Sequence, residues 1–210
     1  TENLKEWILE NFKSELDSNY LVYYYTDELK FWHSPIAKNT SHLLASGKYL
    51  VNLDCDNYTG YEGGNWVLKQ FEKYDNLLIH QSLNIFESGT MGRIGMSREN
   101  FLKLGGYNQQ LKPMGHQDGD IINRGKKLGL NYQNLTNQTY NKALLNDKDR
   151  SVENCQHQYH YKNMMKVNMF ISQFNIKSNE LKANNYFKTP QLGVLINIYR
   201  ITSSEEIKIK

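Results

Sequence analysis

Apolar residues recur at helical spacing from the start of the chain: Leu4, Trp7, Ile8, Phe12 and Leu16 form one stripe, which predicts a helix over Leu4 to Leu16. The period then changes. Tyr20 to Tyr25 is an aromatic and β-branched run bounded by Asn19 and Asp27, the mark of a short buried strand. A loop with His33, Ser34 and Pro35 leads to a predicted helix over Ala37 to Ala45, closed by Gly47 in the position that favours positive φ, and Lys48 to Leu53 is the next strand. Helical spacing returns over Asn65 to Tyr74, and Leu77 to Phe86 reads as a strand carrying some polar residues. A glycine-rich passage, Gly89 to Gly95, delivers the chain to Ser97, a good N-cap for a helix over Arg98 to Leu104 that stops at Gly105-Gly106. Another helix is expected over Asp118 to Leu128, ended by Gly129, with Asp118 and Asp120 in the first turn where the helix dipole favours anions. Asn131 to Thr139 reads as a strand with loops, Ser151 to Phe174 as one long helix, and the remainder as a weakly specified, charged tail.

Helix, strand, helix, strand with short connections predicts an α/β fold, a mainly parallel sheet flanked by helices with a helical C-terminal segment. With 210 residues, 39% of them hydrophobic, the chain suits one core: a domain over residues 1–150 and a helical extension over 151–210 packed on it. No apolar run approaches the roughly 20 residues that cross a bilayer, so no transmembrane segment is expected, while peripheral membrane association stays open. The chain lacks an initiator Met and a charged-then-apolar leader, and is expected to be a piece of something longer without a secretory signal. A net charge of +3, with basic residues scattered among acidic ones, does not ask for nucleic acid. Cys55 and Cys155 have no metal-like spacing and read as free thiols of a reducing, cytoplasmic compartment.

Ligands of such sheets bind beyond the carboxyl ends of strands, and Asp54-Cys55-Asp56-Asn57 occupies that place after Tyr49 to Leu53. Strand alternation would turn both acids to one face and Cys55 to the other, a geometry for one divalent cation, Mn²⁺ or Mg²⁺, whose shell is completed by water and substrate phosphates. A calcium loop is excluded, because its fifth and twelfth positions would be Tyr58 and Asn65 where a side-chain oxygen and a bidentate Glu are required. The second constellation is Gly115-His116-Gln117-Asp118-Gly119-Asp120. Alone it is a helix start with N-terminal acids, but Gly92, Gly95, Gly105, Gly106 and Gly115 before or within it imply repeated close approach to the backbone. Tyr clusters such as Tyr23 to Tyr25 and Tyr159 with Tyr161 offer either sugar-stacking faces or ordinary amphipathic packing.

Ala37-Lys38-Asn39, followed by Gly47-Lys48-Tyr49-Leu50-Val51-Asn52-Leu53-Asp54-Cys55-Asp56-Asn57, resembles the donor-site core of GT-A-fold glycosyltransferases. Gly92-Arg93-Ile94-Gly95, Phe101-Leu102-Lys103-Leu104-Gly105-Gly106-Tyr107, and Gly115 to Asp120 with Asn123-Arg124 resemble the acceptor-side region of the β-1,4-galactosyltransferase group and of related bacterial polysaccharide glycosyltransferases. The resemblance implies a GT-A-like, Rossmann-like sheet. It also implies inverting transfer of a sugar from a nucleoside diphosphate donor, a UDP-sugar by expectation, to a carbohydrate or glycoconjugate hydroxyl. Carried over residue by residue, Asp56 is the metal ligand, Asp54 holds the ribose or the metal through water, and Lys38 faces the diphosphate. Asn57, Gly92, Arg93 and Gln117 complete the donor and substrate site, and Asp118 is the general base. The metal would neutralise charge on the departing diphosphate, with Asp120 and Arg124 as supports.

The resemblance stops short of a particular sugar, since Met114 and Gln117 stand where the animal enzymes have Trp and Glu. It also leaves the third metal ligand open between the stretch Leu144-Leu145-Asn146-Asp147 and His116, His157 or His160. The family has, ahead of the first helix here, a strand and helix that cradle the base and a second strand whose acid contacts the nucleotide; either these are expected upstream of Thr1 or the base is held in another way. The alternative expectation is a non-catalytic nucleotide- or carbohydrate-binding module.

Overall fold

A computed structural model describes residues 3–83, 89–135, 142–145, 147–156, 159–184 and 197–209. The predicted first helix is two, α1 (Leu4–Asn11) and α2 (Lys13–Asp17), because Phe12 between them sits at φ −131°. The apolar stripe is thereby split, with Ile8 and Leu16 buried and Leu4 and Trp7 exposed. β1 is Tyr23–Tyr25. α3 (Ser34–Leu44) starts earlier than expected, since Pro35 falls in its first turn, where a missing N–H costs nothing. It ends through Ala45 in extended conformation, not through a positive-φ Gly47. β2 (Tyr49–Val51), β3 (Asn57–Tyr58), α4 (Gly63–Lys73), β4 (Leu77–His80), β5 (Ile94–Ser97), α5 (Arg98–Lys103), α6 (Gln117–Lys127), β6 (Asn131–Asn134) and β7 (Lys142–Ala143) follow. The chain then forms α7 (Lys148–Ser151), a single 3-10 turn at Val152–Asn154, α8 (Tyr161–Lys177), β8 (Tyr199–Ile201) and β9 (Glu206–Lys208). The long helix expected from Ser151 is interrupted, because Cys155 takes an extended conformation at ψ 149°. The Leu77 to Phe86 and Asn131 to Thr139 strands are observed in part, as β4 and β6: residues 81–83 and 135 are not strand, and 84–86 and 136–139 lie outside the described residues.

Two compact units result: Thr1–Lys30 with Val194–Lys210, and Phe31–Gly193. This partition runs across the expected boundary at residue 150. In the first unit, β1 and β9 flank β8 in a three-stranded antiparallel sheet, with Ile198 and Ile201 buried. The second unit contains every candidate site residue, and α8 belongs to it.

The main sheet of the second unit has the order β2-β5-β4-β6. The fold is mixed α/β, but the expectation of a mainly parallel sheet is corrected: β5 pairs antiparallel with both β2 and β4, and only β4 and β6 are parallel neighbours. β2, β4 and β6 share one direction, as the predicted order requires, and β5 is inserted against them. The reason lies in Gly95, a poor strand signal that is paired with Val51 on one side and Ile79 on the other. A Cβ there would stand 2.9 Å from Ile79 and 3.1 Å from Val51, so the bare backbone lets both neighbours close over it. β4 is buried at all four positions. Leu78 packs with Leu50, Met96, Phe101, Leu104 and Ile121 on one face, and Leu77 and Ile79 pack with Val67 and Phe71 on the other. Both cysteines are free, Cys55 exposed and Cys155 buried. Among the described residues no helix is long and apolar enough to cross a membrane.

Candidate functional site

The acids after β2 are not a continuation of that strand. The Asn52 N–H still donates to the Ile94 carbonyl (2.8 Å), but Asp54 to Asn57 form a turn closed by Asn57 N–H to the Asp54 carbonyl at 2.9 Å. Alternation therefore does not set the two carboxylates, and the turn does. Asn52, buried, donates from Nδ2 to Asp54 Oδ1 (2.9 Å) and to the Gly92 carbonyl (2.8 Å), so it fixes Asp54 against the start of β5. A Cβ on Gly92 would lie 2.1 Å from Asp54 Oδ2. Gly92→Ala should thus displace Asp54, and a metal-dependent ligand held by that carboxylate, such as Mn²⁺ with a nucleoside diphosphate, would bind about 10- to 100-fold more weakly, the range for losing support of a metal-binding group. Calorimetry reads this directly, and unchanged affinity would mean Asp54 does not face the ligand.

Lys38 rises from α3 into the same place. Its Nζ lies 3.3 Å from Asp54 Oδ1 and 2.9 Å from Asp118 Oδ1, with only 10% of the side chain exposed. Desolvation alone would lower its pKa, but the charges of Asp118 and Asp54 outweigh it and hold the ammonium well above its ordinary value. The Nζ also sits 5.3 Å from the Tyr107 ring centroid. α3 is locked to the Gly105-Gly106-Tyr107 loop by two hydrogen bonds of 2.8 Å, Asn39 Nδ2 to the Tyr107 carbonyl and Tyr107 N–H to Asn39 Oδ1. Gly106 allows this through φ +70° and the absence of a Cβ, which would fall 2.5 Å from Asn39 Oδ1.

His42, one turn along α3, stacks on Phe101 at 4.8 Å, and its Nδ1 lies 2.7 Å from the Lys38 carbonyl. Burial first, and the Lys38 charge in addition, push its pKa down from 6.5 to about 4. The unfolded chain then binds more protons than the folded one between those values. Stability is full above pH 6.5 and falls as pH drops toward 4, by about 3 kcal/mol in all. Urea unfolding should show a larger acid loss in the native protein than in His42→Gln, the remainder coming from His33, His80 and His116, which burial also lowers.

Asp118 opens α6, where the dipole favours it. Its Oδ1 accepts from Lys38, while among the described residues Oδ2 accepts no hydrogen bond and the side chain keeps 23% exposure. Around it stand His80 and Tyr161, both of which feel its charge. His80 is held between the Tyr132 hydroxyl and the Met91 carbonyl, each at 3.0 Å. His116 caps α6 at φ 66° with its ring over Gly119, where a Cβ would be 2.8 Å from Cε1. Gln117 is buried and donates to the Lys112 carbonyl at 3.0 Å, which makes it a brace of the loop before Asp118. Asp120 and Arg124 form a fully buried ion pair.

Arg93, buried at the start of β5, donates from Nε to Asn57 Oδ1 (2.6 Å) and from Nη2 to the carbonyls of Tyr58 (2.7 Å) and Lys142. Asn57 in turn donates to Asp56 Oδ1 at 2.5 Å, and Leu144 N–H to the Asp56 carbonyl at 2.7 Å. Arg93 and Asn57 thus brace the Asp54–Asn57 turn against β7. Among the described residues no group of three His, Cys, Asp or Glu side chains is placed to hold a metal. Asp56 and Asp54 supply two carboxylates, a donor set that suits a cation sharing its shell with water and phosphate. Of the other candidate ligands, Asp147 caps α7, His160 lies 3.6 Å from Asp149, and Asn146 and His157 lie outside the described residues.

Asn39 and Asn52 lie within the matched strings but take no role from the resemblance, and Asn168 has no sequence signal; all three are braces. Asn168 on α8 is fully buried and donates to the Met114 and Gly115 carbonyls at 3.1 and 2.7 Å. Only an Asn within an otherwise apolar stripe could have marked it. Fold and site together define a mixed α/β protein with a carboxylate–lysine–carboxylate cluster at the carboxyl end of β2. No family model, curated protein or solved structure matches the chain.

Proposed function

We propose that this protein is a metal-dependent, inverting glycosyltransferase with a GT-A-like domain. It moves a sugar from a nucleoside diphosphate sugar, a UDP-sugar in the first instance, to a hydroxyl of a carbohydrate or glycoconjugate. The observation that carries the reading is Lys38, which pairs with both Asp54 and Asp118 and so joins the two motifs at one place. The shared direction of β2, β4 and β6, packed on both faces, supports the same reading. Free Cys55 and Cys155 support a cytoplasmic setting.

Asp56, with Asp54, would hold Mn²⁺ or Mg²⁺, which when bound supplies charge neutralisation to the leaving diphosphate. Lys38 contributes a fixed positive charge on the same side, shared between Asp54, Asp118 and an incoming phosphate. Asp118, with one oxygen oriented by Lys38 and the other open, accepts the proton of the acceptor hydroxyl as that oxygen attacks the anomeric carbon. The bond from that carbon to the diphosphate oxygen breaks on the opposite face, so the configuration inverts.

The test is a panel of UDP- and GDP-sugars with Mn²⁺, read for hydrolysis and transfer, beside calorimetry with UDP and Mn²⁺. Turnover of at least one donor is expected. Metal-dependent binding without turnover would establish a binding module instead, and neither binding nor turnover would refute both.

A further inference from the structure

Helix α8 buries its polar side and exposes its aromatic one. Asn168 and Ser172 are fully buried, whereas Phe170 is 71% and Phe174 59% exposed, with Val167 exposed one turn before. The inward side has a reason. Asn168 accepts from the Lys112 N–H at 2.7 Å and donates to the carbonyls of Lys112, Met114 and Gly115, which ties the loop before α6. Among the described residues nothing comparable engages the phenyl rings, and exposing two of them on one stripe is costly in water.

Charge indicates what the outward stripe meets. α8 carries Lys162, Lys166 and Lys177 and no acidic residue along its 17 positions. Lys166, Val167, Phe170, Phe174 and Lys177 recur at the three- and four-residue spacing of one helix face, and Lys166, Phe170, Phe174 and Lys177 are all exposed. Beside the end of α8, the last turn of α6 brings Lys126 and Lys127 to a shallow hollow shared with Lys177, Asn123, Gln173 and Ile176. Single phenyl rings standing out from a helix, flanked by long lysines with no carboxylate between them, match an interface of acyl chains under anionic headgroups. There the rings enter the chains while the ammonium groups reach the phosphates.

We infer that the outward face of α8, with Lys127 of α6, docks the protein on an anionic lipid bilayer. Co-sedimentation of the full chain with phosphatidylcholine vesicles, with or without phosphatidylglycerol, tests it. Binding is expected only with phosphatidylglycerol present, and it should weaken as salt is raised. Phe170→Ser with Phe174→Ser should reduce vesicle affinity by at least about tenfold. Lys166→Gln with Lys177→Gln should reduce it by about fivefold per lysine. Both pairs lie on exposed positions and should melt at the temperature of the parent protein. If one pair fails to fold, the other carries the test. No binding to anionic vesicles overturns the inference, as does binding that neither pair weakens. A dimer in gel filtration that the Phe pair converts to monomer would assign the face to a second copy of the chain instead. Binding to acidic polypeptide that is lost with the same substitutions, without vesicle binding, would assign it to a protein.

Discussion

Asp118→Asn is expected to lower sugar transfer by about 10²- to 10⁴-fold, the share of a barrier that one positioned proton acceptor removes. The amide oxygen of Asn can still accept from Lys38, whose Nζ is 2.9 Å away, and Asp54 still balances the ammonium at 3.3 Å. Geometry is therefore kept while the basic oxygen is lost. The loss should fall on kcat, with UDP and Mn²⁺ affinity by calorimetry unchanged, because the interaction removed exists only as the hydroxyl attacks. Asp54→Asn makes the contrast. It leaves Asp118 in place and should weaken donor binding first. If Asp118→Asn instead abolished donor binding and left residual turnover intact at saturating donor, Asp118 would be a binding group and the base would have to be sought elsewhere.

The sequence was most informative where one residue's chemistry acts locally. Ser97 caps α5 by accepting from the Asn100 N–H, as its position before a helical stripe implied. Gly92, Gly105, Gly106 and Gly115 each lie where a Cβ would meet another atom within 3.0 Å, so the reading of glycines as close approaches is borne out. What these glycines approach was not legible. Gly105 meets the Ala183 backbone and Gly115 meets Met165, partners more than 45 residues away that no local pattern announces. β5 was hidden for a related reason, since a strand with glycine at its centre lacks the β-branched run by which strands are recognised. The site shows the same division. Asp54, Asp56, Asp118 and Lys38 were named from their motifs, and the structure brings Lys38 to Asp54 and to Asp118. Arg93, Asn57 and Gln117, named beside them as ligand contacts, are observed donating to Tyr58, Asp56 and Lys112 respectively, so they also serve as braces. Motif position cannot separate those two uses, because it records which residues are near a site and not which atoms remain unspent.

Asp120→Ala should be the most damaging single change to stability. Asp120 and Arg124 are 0% and 1% exposed in their side chains, and both Nε and Nη2 of Arg124 lie 2.8 Å from Asp120 Oδ2. Removing the carboxylate leaves a guanidinium in the core with, among the described residues, the carbonyls of Leu104, Gly106 and Leu181 as partners. Breaking one side of such a pair costs about 3–5 kcal/mol, a large part of the roughly 5–15 kcal/mol that holds a domain together. The urea midpoint should fall accordingly. Removing both charges with Asp120→Leu and Arg124→Met should recover part of the loss, because no buried charge is left. Recovery stays incomplete, since the Leu104 and Gly106 carbonyls lose their donor and each costs about 1–3 kcal/mol. Those carbonyls belong to the loop that presents Tyr107 to Asn39, so the ion pair also steadies the loop to which α3 is anchored. An unchanged midpoint in Asp120→Ala would mean that water reaches Arg124. The guanidinium would then be available to a ligand, and its place in the acceptor-side motif would reflect binding instead of support.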